Sequence, residues 1–333
     1  MNSDLVQYGN TNLMVTRVCQ GNAFRNMARS PDNEEGLKVL RHCLDVGLNF
    51  LDTAPGYGAG GSESLLGKAL AGRRHEAVIA NRVINIGVPP GSRDGDLLPP
   101  SRYTRDYIFA SVEWSLQRLG TDYLDILSIH KKDSLEVHSD PRVAALYREL
   151  YDDPEPTPFA EIADTMDALV RSGKVRYWGL SQYDDADVTR YLDISEAAGS
   201  APISSLQNPY NLITRGSATE KLFPVIRKAG LGVQTIGPHA AGTLTSGCET
   251  EPGSPLAHLH QTVDKVAAEL NARRSHVCVA WVLSHPELTT ALSGAESEEH
   301  VDDNLAGARL ELPEEALEIL NAASLEFAEQ PAG

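Results

Sequence analysis

Positive charge is in short supply in this chain of 333 residues. Lysine and arginine total 29 against 46 aspartates and glutamates, a formal net charge of −17. Phosphate backbones and anionic lipid surfaces attract Lys and Arg, so this balance excludes nucleic acid and membrane as principal partners. Long apolar runs are also missing. None reaches the roughly 18 residues that a spanning helix needs. The opening MNSDLVQYGN lacks the cationic-then-apolar pattern of a secretory leader. Cysteine is scarce: Cys19, Cys43, Cys248 and Cys278 are scattered, with no CxxC pair and no zinc spacing. The expectation is four free thiols in a reducing cytoplasm and no metal site. A GxGxxG loop is absent after the first apolar run, where GNAFRNM stands instead, and this argues against an open dinucleotide-binding sheet.

What the chain does have is rhythm. Apolar residues make up 41% of it, enough for a large core. Short apolar runs fall at residues 17–23, 47–54, 77–83, 123–133, 175–183, 203–211, 231–239 and 288–297. Helix-like stretches lie between and after them at 34–46, 63–71, 105–119, 159–172, 185–198, 218–229, 260–285 and 298–306. Strands alternating with helices imply parallel pairing through right-handed crossovers. Eight such units predict a closed (β/α)8 TIM barrel of α/β class. YGNTN, residues 8–12, has the composition of a turn closing a short N-terminal hairpin. No linker or internal repeat divides residues 1–333, so they read as one barrel domain.

The runs share a further property: each turns polar at its carboxyl end. They end on Asp52, Arg82, His130, Ser181 with Gln182, and Gln207 with Asn208. In a parallel barrel that end carries the active site. Arg82, closing the run AVIANRV, is thereby expected to face a shared mouth. After the fourth run the chain makes a long excursion, KKDSLEVHSDPRVAALYRELYDDPEPTP, with DPRVAALYREL able to form a helix of its own. Such a loop at a barrel mouth covers a substrate or meets another subunit; an oligomer is possible. His138, within it, reads as a surface residue.

GLNFLDTAPGYGAGGSESLLGKAL (47–70) resembles the signature of the aldo-keto reductase superfamily. DILSIHKKD, GKVRYWGLSQ, LQNPYN and SGAESEEHVDDNL follow in the family's order along the whole chain. The resemblance implies an NAD(P)(H)-dependent oxidoreductase that interconverts a carbonyl (aldehyde, ketone or sugar) and an alcohol. The family's catalytic Asp, Tyr and His map to Asp52, Tyr57 and His130. Arg82 stands where the family has lysine. The chemistry is coherent: a tyrosine hydroxyl, pKa about 10 when free, needs a neighbouring cation to become a useful acid. A unit charge about 4 Å away is worth about 4 kcal/mol at an effective dielectric of 20, enough to lower a pKa by about three. Arginine can do this, but its broad fork can also be drawn bidentately onto Asp52.

For the cofactor, the resemblance implies Gly21, Asn22, Ser181, Gln182 and Gln207 around the nicotinamide. It implies Ile236 in the place of the aromatic that stacks on the nicotinamide, Pro238 after it, His239 by the pyrophosphate, and Gly294, Glu296, His300, Asp303 and Asn304 at the adenosine end. Gln182 replaces the usual Asn, Ile236 an aromatic and His239 a leucine. Glu296 holds the position of an arginine that grips the 2′-phosphate of NADP. A carboxylate there repels phosphate and suits a ribose diol, so the reading leans to NAD(H) over NADP(H). Arg273 or Arg274 serving the phosphate is the alternative. Two other functions stay open: a redox-neutral lyase or epimerase using bound cofactor, and a non-catalytic regulatory subunit like the family's potassium-channel β subunits.

Overall fold

The computed structural model describes residues 5–133, 141–151, 155–215 and 217–328. The chain opens with an antiparallel hairpin, β1 (Leu5–Gln7) and β2 (Met14–Thr16). Eight parallel strands then close a barrel in chain order: β3 (Val18–Gly21), β4 (Phe50–Asp52), β5 (Val78–Val83), β6 (Leu124–His130), β7 (Val175–Ser181), β8 (Ser205–Pro209), β9 (Gly232–Ile236) and β10 (Thr290–Ser293), with β10 pairing back to β3. The (β/α)8 barrel and the N-terminal hairpin expected from the alternation are both formed. Parallel strands need covered crossovers, so both strand faces are buried. The outer layer is Leu, Ile and Val packed beneath the helices, with the aromatics Trp178, Tyr191 and Trp281 among them.

The hairpin plugs the amino-terminal end. Tyr8, Leu13 and Val15 are fully or nearly fully buried with Cys19, Phe50, Val78 and Ile126 in the barrel interior. Tyr8 shares a 2.7 Å hydrogen bond with Ser205. Gly232 is required here: a Cβ on it would stand 2.4 Å from the Tyr8 ring. With one end sealed, ligand access is left to the carboxyl end.

Helices begin where side chains can satisfy their free N–H groups. Asn33 caps α1 (Glu34–Asp45), and α2 (Gly61–Ala69) follows the glycine-rich turn. Thr104 caps α3 (Arg105–Leu119), and Gly120 in the left-handed region ends it. The excursion after β6 contains α4 (Pro141–Leu150), as DPRVAALYREL predicts. It returns to the barrel at α5 (Phe159–Arg171). Asp133 ties its two ends together, accepting from Tyr103 N at 2.6 Å, Thr157 N at 2.9 Å and Thr157 Oγ1 at 2.6 Å. The expectation for His138 lies outside the described residues.

Two expectations need correction. Residues 260–285 are two helices, not one. After α6 (Asp185–Ala198) and α7 (Ser217–Ala229) come α8 (Pro255–Glu269), started by Ser254 and Pro255, and α9 (Arg274–Leu283). The break falls at Asn271, which adopts φ 49, a left-handed conformation that asparagine tolerates. Beyond α10 (Glu298–Arg309) the chain forms a further helix, α11 (Glu314–Ala328), that the alternation did not announce. It docks through Asn321 Oδ1, which accepts from Trp281 Nε1 at 3.0 Å. Among the described residues no helix is long and apolar enough to cross a membrane. The four cysteines are unpaired, Cys19, Cys43 and Cys278 being buried.

Candidate active site

Strand register brings the polar strand ends together. His130 pairs across the sheet with Ser181, and Ser181 with Gln207. Gly21 pairs with Asp52. In parallel sheets such partners lie about 4.8 Å apart, so their inward side chains touch. Asp52 and Arg82 are buried at 2% and 6% exposure, and the guanidinium of Arg82 donates through Nη2 to Asp52 Oδ1. Gln207 Nε2 donates to the other oxygen, Oδ2, at 2.8 Å. Ser181 Oγ lies 3.2 Å from Gln207 Oε1 and 3.0 Å from His130 Nδ1.

Strand alternation aims Arg82 inward and its neighbour Asn81 outward. Asn81 Nδ2 donates to Glu63 Oε1 at 2.8 Å, and Glu63 in turn pairs with Arg118 at 2.6 Å. A buried strand ends on arginine, then, because Asp52 closes the adjacent strand β4 and takes up its charge. Tyr57 sits on the turn between β4 and α2, where Gly58, Ala59 and Gly60 all take positive φ. A Cβ at Gly58 would stand 2.3 Å from the Cβ of Arg29, so this turn is pressed onto the loop after β3. The result places the Tyr57 ring centre 5.7 Å from the guanidinium carbon of Arg82.

Burial pushes the Asp52 carboxyl above the ordinary carboxylate range, with Arg82 and Gln207 pulling against it. Burial also works against the cation of Arg82, but Asp52 and Tyr57 outweigh it and the net direction is upward. His130 is pushed down to about 3, by burial first and then by Arg82 and Lys131. At neutral pH the mouth therefore holds one fixed cation and a neutral imidazole.

Asn22 follows β3 and is fully buried. Its backbone N–H donates to Asp52 O at 2.9 Å, yet neither Nδ2 nor Oδ1 of its amide has a partner. Gln182 is exposed and takes a left-handed φ of 62, held by Asn208 Oδ1, which accepts from its N–H at 3.1 Å. Ile236 ends β9, half-buried, and Pro238 behind it is buried. His239 Nε2 donates to Ser275 O at 3.2 Å, and burial holds its pKa below the usual value.

The adenosine-end residues form a separate group. Gly294 is exposed, with only Gly21 O within 4 Å of a notional Cβ. Glu296 does not stand free: Asn26 donates to it through N at 2.9 Å and Nδ2 at 2.8 Å. His300 is exposed, its N–H capped by Ser297. The Asp303 carboxylate is engaged by Arg273 at 3.0 Å, Ser275 at 2.5 Å and His276 at 2.7 Å. Asn304 is buried. Arg274 is paired with Asp264 at 2.5 Å.

Asn208, expected beside Gln207 at the polar end of its run, braces Gln182. Two residues went unnoticed in the sequence. Gln234 Oε1 accepts from Gln207 at 3.3 Å, and Gln234 Nε2 donates to Cys19 Sγ at 3.3 Å. Asn26 clasps Glu296. A signal existed only for Gln234, a polar residue inside the apolar run LGVQTI.

A closed barrel whose carboxyl mouth gathers a carboxylate, a cation, an imidazole and a nearby phenol defines a (β/α)8 protein with a cluster of ionisable groups at that end. The chain belongs to the aldo/keto reductase family, which matches residues 19–324. It is 30% identical to the uncharacterized oxidoreductase YrpG of Bacillus subtilis strain 168, over 94% of this chain and 93% of that one. It is 27% identical to the methylglyoxal reductase YeaE of Escherichia coli K12, over 97% and 95%. A probable voltage-gated potassium channel subunit beta of Oryza sativa is 25% identical, over 89% and 88%. Among solved structures, the holo form of aldo-keto reductase AKR11C1 from Bacillus halodurans shares the fold, with a TM-score of 0.77, 23% identity and 96% coverage of each chain. Family and relatives support an oxidoreductase acting between carbonyl and alcohol.

Proposed function

We propose that this protein interconverts a carbonyl (aldehyde, ketone or sugar) and its alcohol with NAD(P)(H), Tyr57 acting as general acid in reduction and general base in oxidation. The observation that carries the reading is the buried Asp52–Arg82 pair set beside the Tyr57 ring. A fixed cation in a low-dielectric mouth stabilises the phenolate that proton donation leaves behind. Asp52 orients that cation, and Arg82 fills the role that lysine has in the family. The guanidinium is shared between Asp52 and Tyr57, so turnover is retained but retuned.

The unpartnered buried amide of Asn22 fits a polar cofactor at the end of β3, since buried amides rarely stay unpaired without a ligand. Gly21, Asn22, Ser181, Gln182 and Gln207 would hold the nicotinamide end. Ile236 would pack on the nicotinamide, Pro238 and His239 would line the middle, and Gly294, Glu296, His300, Asp303 and Asn304 the adenosine end. When bound there, the cofactor would supply the hydride for the carbonyl carbon. Tyr57 supplies the proton for the carbonyl oxygen.

NAD(H) is preferred over NADP(H) in this reading. Asn26 fixes Glu296 in place, where its charge opposes a 2′-phosphate while spare lone pairs can accept from ribose hydroxyls. The competing cations are committed, Arg273 to Asp303 and Glu299 and Arg274 to Asp264.

Fluorescence titration with NADH and NADPH tests the cofactor, and a carbonyl screen beginning with methylglyoxal tests the chemistry. NADPH binding tenfold tighter than NADH would end the NAD(H) preference. Cofactor binding with no turnover on any carbonyl would favour a regulatory subunit, the second reading, which the channel-subunit relative motivates.

A further inference from the structure

Asp52 stands at one end of a hydrogen-bond chain that crosses the neighbouring strand ends and stops at His130. Its links are Asp52 Oδ2 to Gln207 Nε2 at 2.8 Å, Gln207 Oε1 to Ser181 Oγ at 3.2 Å and Ser181 Oγ to His130 Nδ1 at 3.0 Å. The direction of each link follows from the first. Arg82 has only donors and occupies Asp52 Oδ1, which holds Asp52 as a carboxylate that only accepts. Gln207 must therefore turn its NH2 towards Asp52. Gln234 Oε1, 3.3 Å from the same nitrogen, accepts from it in that orientation. Gln207 Oε1 is left facing Ser181, and a carbonyl oxygen cannot donate. The one hydroxyl proton of Ser181 is spent on Gln207, so nothing remains for His130. The contact at His130 is a hydrogen bond only if Nδ1 carries the hydrogen.

We infer that the Asp52–Gln207–Ser181 chain holds the neutral ring of His130 as its Nδ1–H tautomer in the cofactor-free protein, leaving Nε2 as a hydrogen-bond acceptor. Gln207 and Ser181 are then positioning residues for His130. Nε2 has no partner among the described residues. The ring stays neutral because burial, Arg82 and Lys131 push its pKa down to about 3, so one tautomer is defined at neutral pH.

The consequence rests on the reductase reading. A carbonyl oxygen needs a donor, and Nε2 in this tautomer offers none; an alcohol hydroxyl can donate to it. The same Ser181 and Gln207 are proposed to hold the nicotinamide amide. Engaging them there breaks the chain and frees His130 to move its hydrogen to Nε2. The cofactor-free mouth is thus set for hydroxyl-bearing ligands.

The test is long-range 1H–15N correlation on cofactor-stripped, full-length protein with ring-15N histidine. His130 is assigned among the ten histidines by loss of its signals in His130→Gln. The expected wild-type pattern has a protonated Nδ1 and a bare Nε2. Ser181→Ala removes the acceptor at Nδ1, and Gln207→Leu returns the Ser181 proton to His130; both are expected to give the Nε2–H form. An Nε2–H tautomer in the wild type overturns the inference, as does Nδ1–H persisting in Ser181→Ala. Neither result touches the reductase reading, because no cofactor, substrate or turnover enters the measurement. Should one variant fail to fold, the wild-type spectrum and the other variant still decide.

Discussion

Gln207 and Asp52 lie 155 residues apart in the chain and 2.8 Å apart at the barrel mouth, amide nitrogen to carboxylate oxygen. With Arg82 on the other oxygen, the carboxylate is enclosed by donors and shut off from water. A buried charge held this way tolerates loss of a partner badly, because desolvation remains after the compensating contact is gone.

Arg82→Met should therefore cost about 3–5 kcal/mol of stability, read from the urea midpoint, as expected when one partner of a buried pair is removed. Turnover should fall by about 10²–10³, the usual loss when one preorganised electrostatic group is deleted. Arg82→Lys keeps the charge and should stay within about tenfold of wild type. Unchanged turnover in Arg82→Met would contradict the role given to the cation.

Tyr57→Phe keeps the ring and deletes the acid. Carbonyl reduction should drop by about 10²–10⁴, the range for general acid–base catalysis. Binding of NADH, followed by fluorescence, should be unaltered. Full activity in this variant would remove Tyr57 from the mechanism.

Glu296→Arg should tighten NADPH at least about tenfold, roughly 1.4 kcal/mol, by replacing a repulsive charge with a phosphate partner. NADH should weaken through loss of the clasp to Asn26. Paired titrations of both cofactors measure the ratio, and an unmoved ratio would show that the adenosine end is read elsewhere.

Acid should destabilise the protein through His130. Its folded pKa, about 3, lies below the usual histidine value, so the unfolded chain takes up a proton first as pH falls. Stability that is complete above about pH 6.5 is lost on acidification towards 3, by up to about 1.4 kcal/mol per pH unit for one site. His239, His260 and His285 are shifted in the same direction, chiefly by burial, and add to the slope. His130→Gln should flatten the dependence of the urea midpoint on pH between about 4.5 and 6.5; an identical slope would rule the ring out as a contributor.

Asp133→Ala should loosen the excursion after β6. It strands the N–H groups of Tyr103 and Thr157 in a buried setting, each worth about 1–3 kcal/mol when left unpaired. Limited proteolysis should cut between residues 131 and 158 faster than in wild type, while the barrel stays resistant.

The fold was legible because its determinants are local and periodic. Eight apolar runs, each turning polar at one end, required nothing from tertiary structure to suggest a parallel barrel with a polar mouth, and the motif around Tyr57 added the family resemblance. Helix breaks were less legible. The run through 260–285 has no Gly or Pro to mark the break, and the left-handed backbone at Asn271 with the extended Arg273 after it divides the run. No strand separates α11 from α10, so strand–helix alternation had nothing to say.

The sequence by itself determined which residue types reach the mouth, through the period of two in strands and the polar residue closing each one. Who bonds to whom there was decided by tertiary structure. Asp52, Gln207 and Arg82 meet only because barrel closure brings β4, β5 and β8 around one interior. Glu296 was legible as a negative charge, but its clasp with Asn26 depends on two loops from opposite ends of the chain, 270 residues apart. Side-chain type is written locally. Donor direction, burial and pairing arise from strand register and loop packing, which no window of sequence contains.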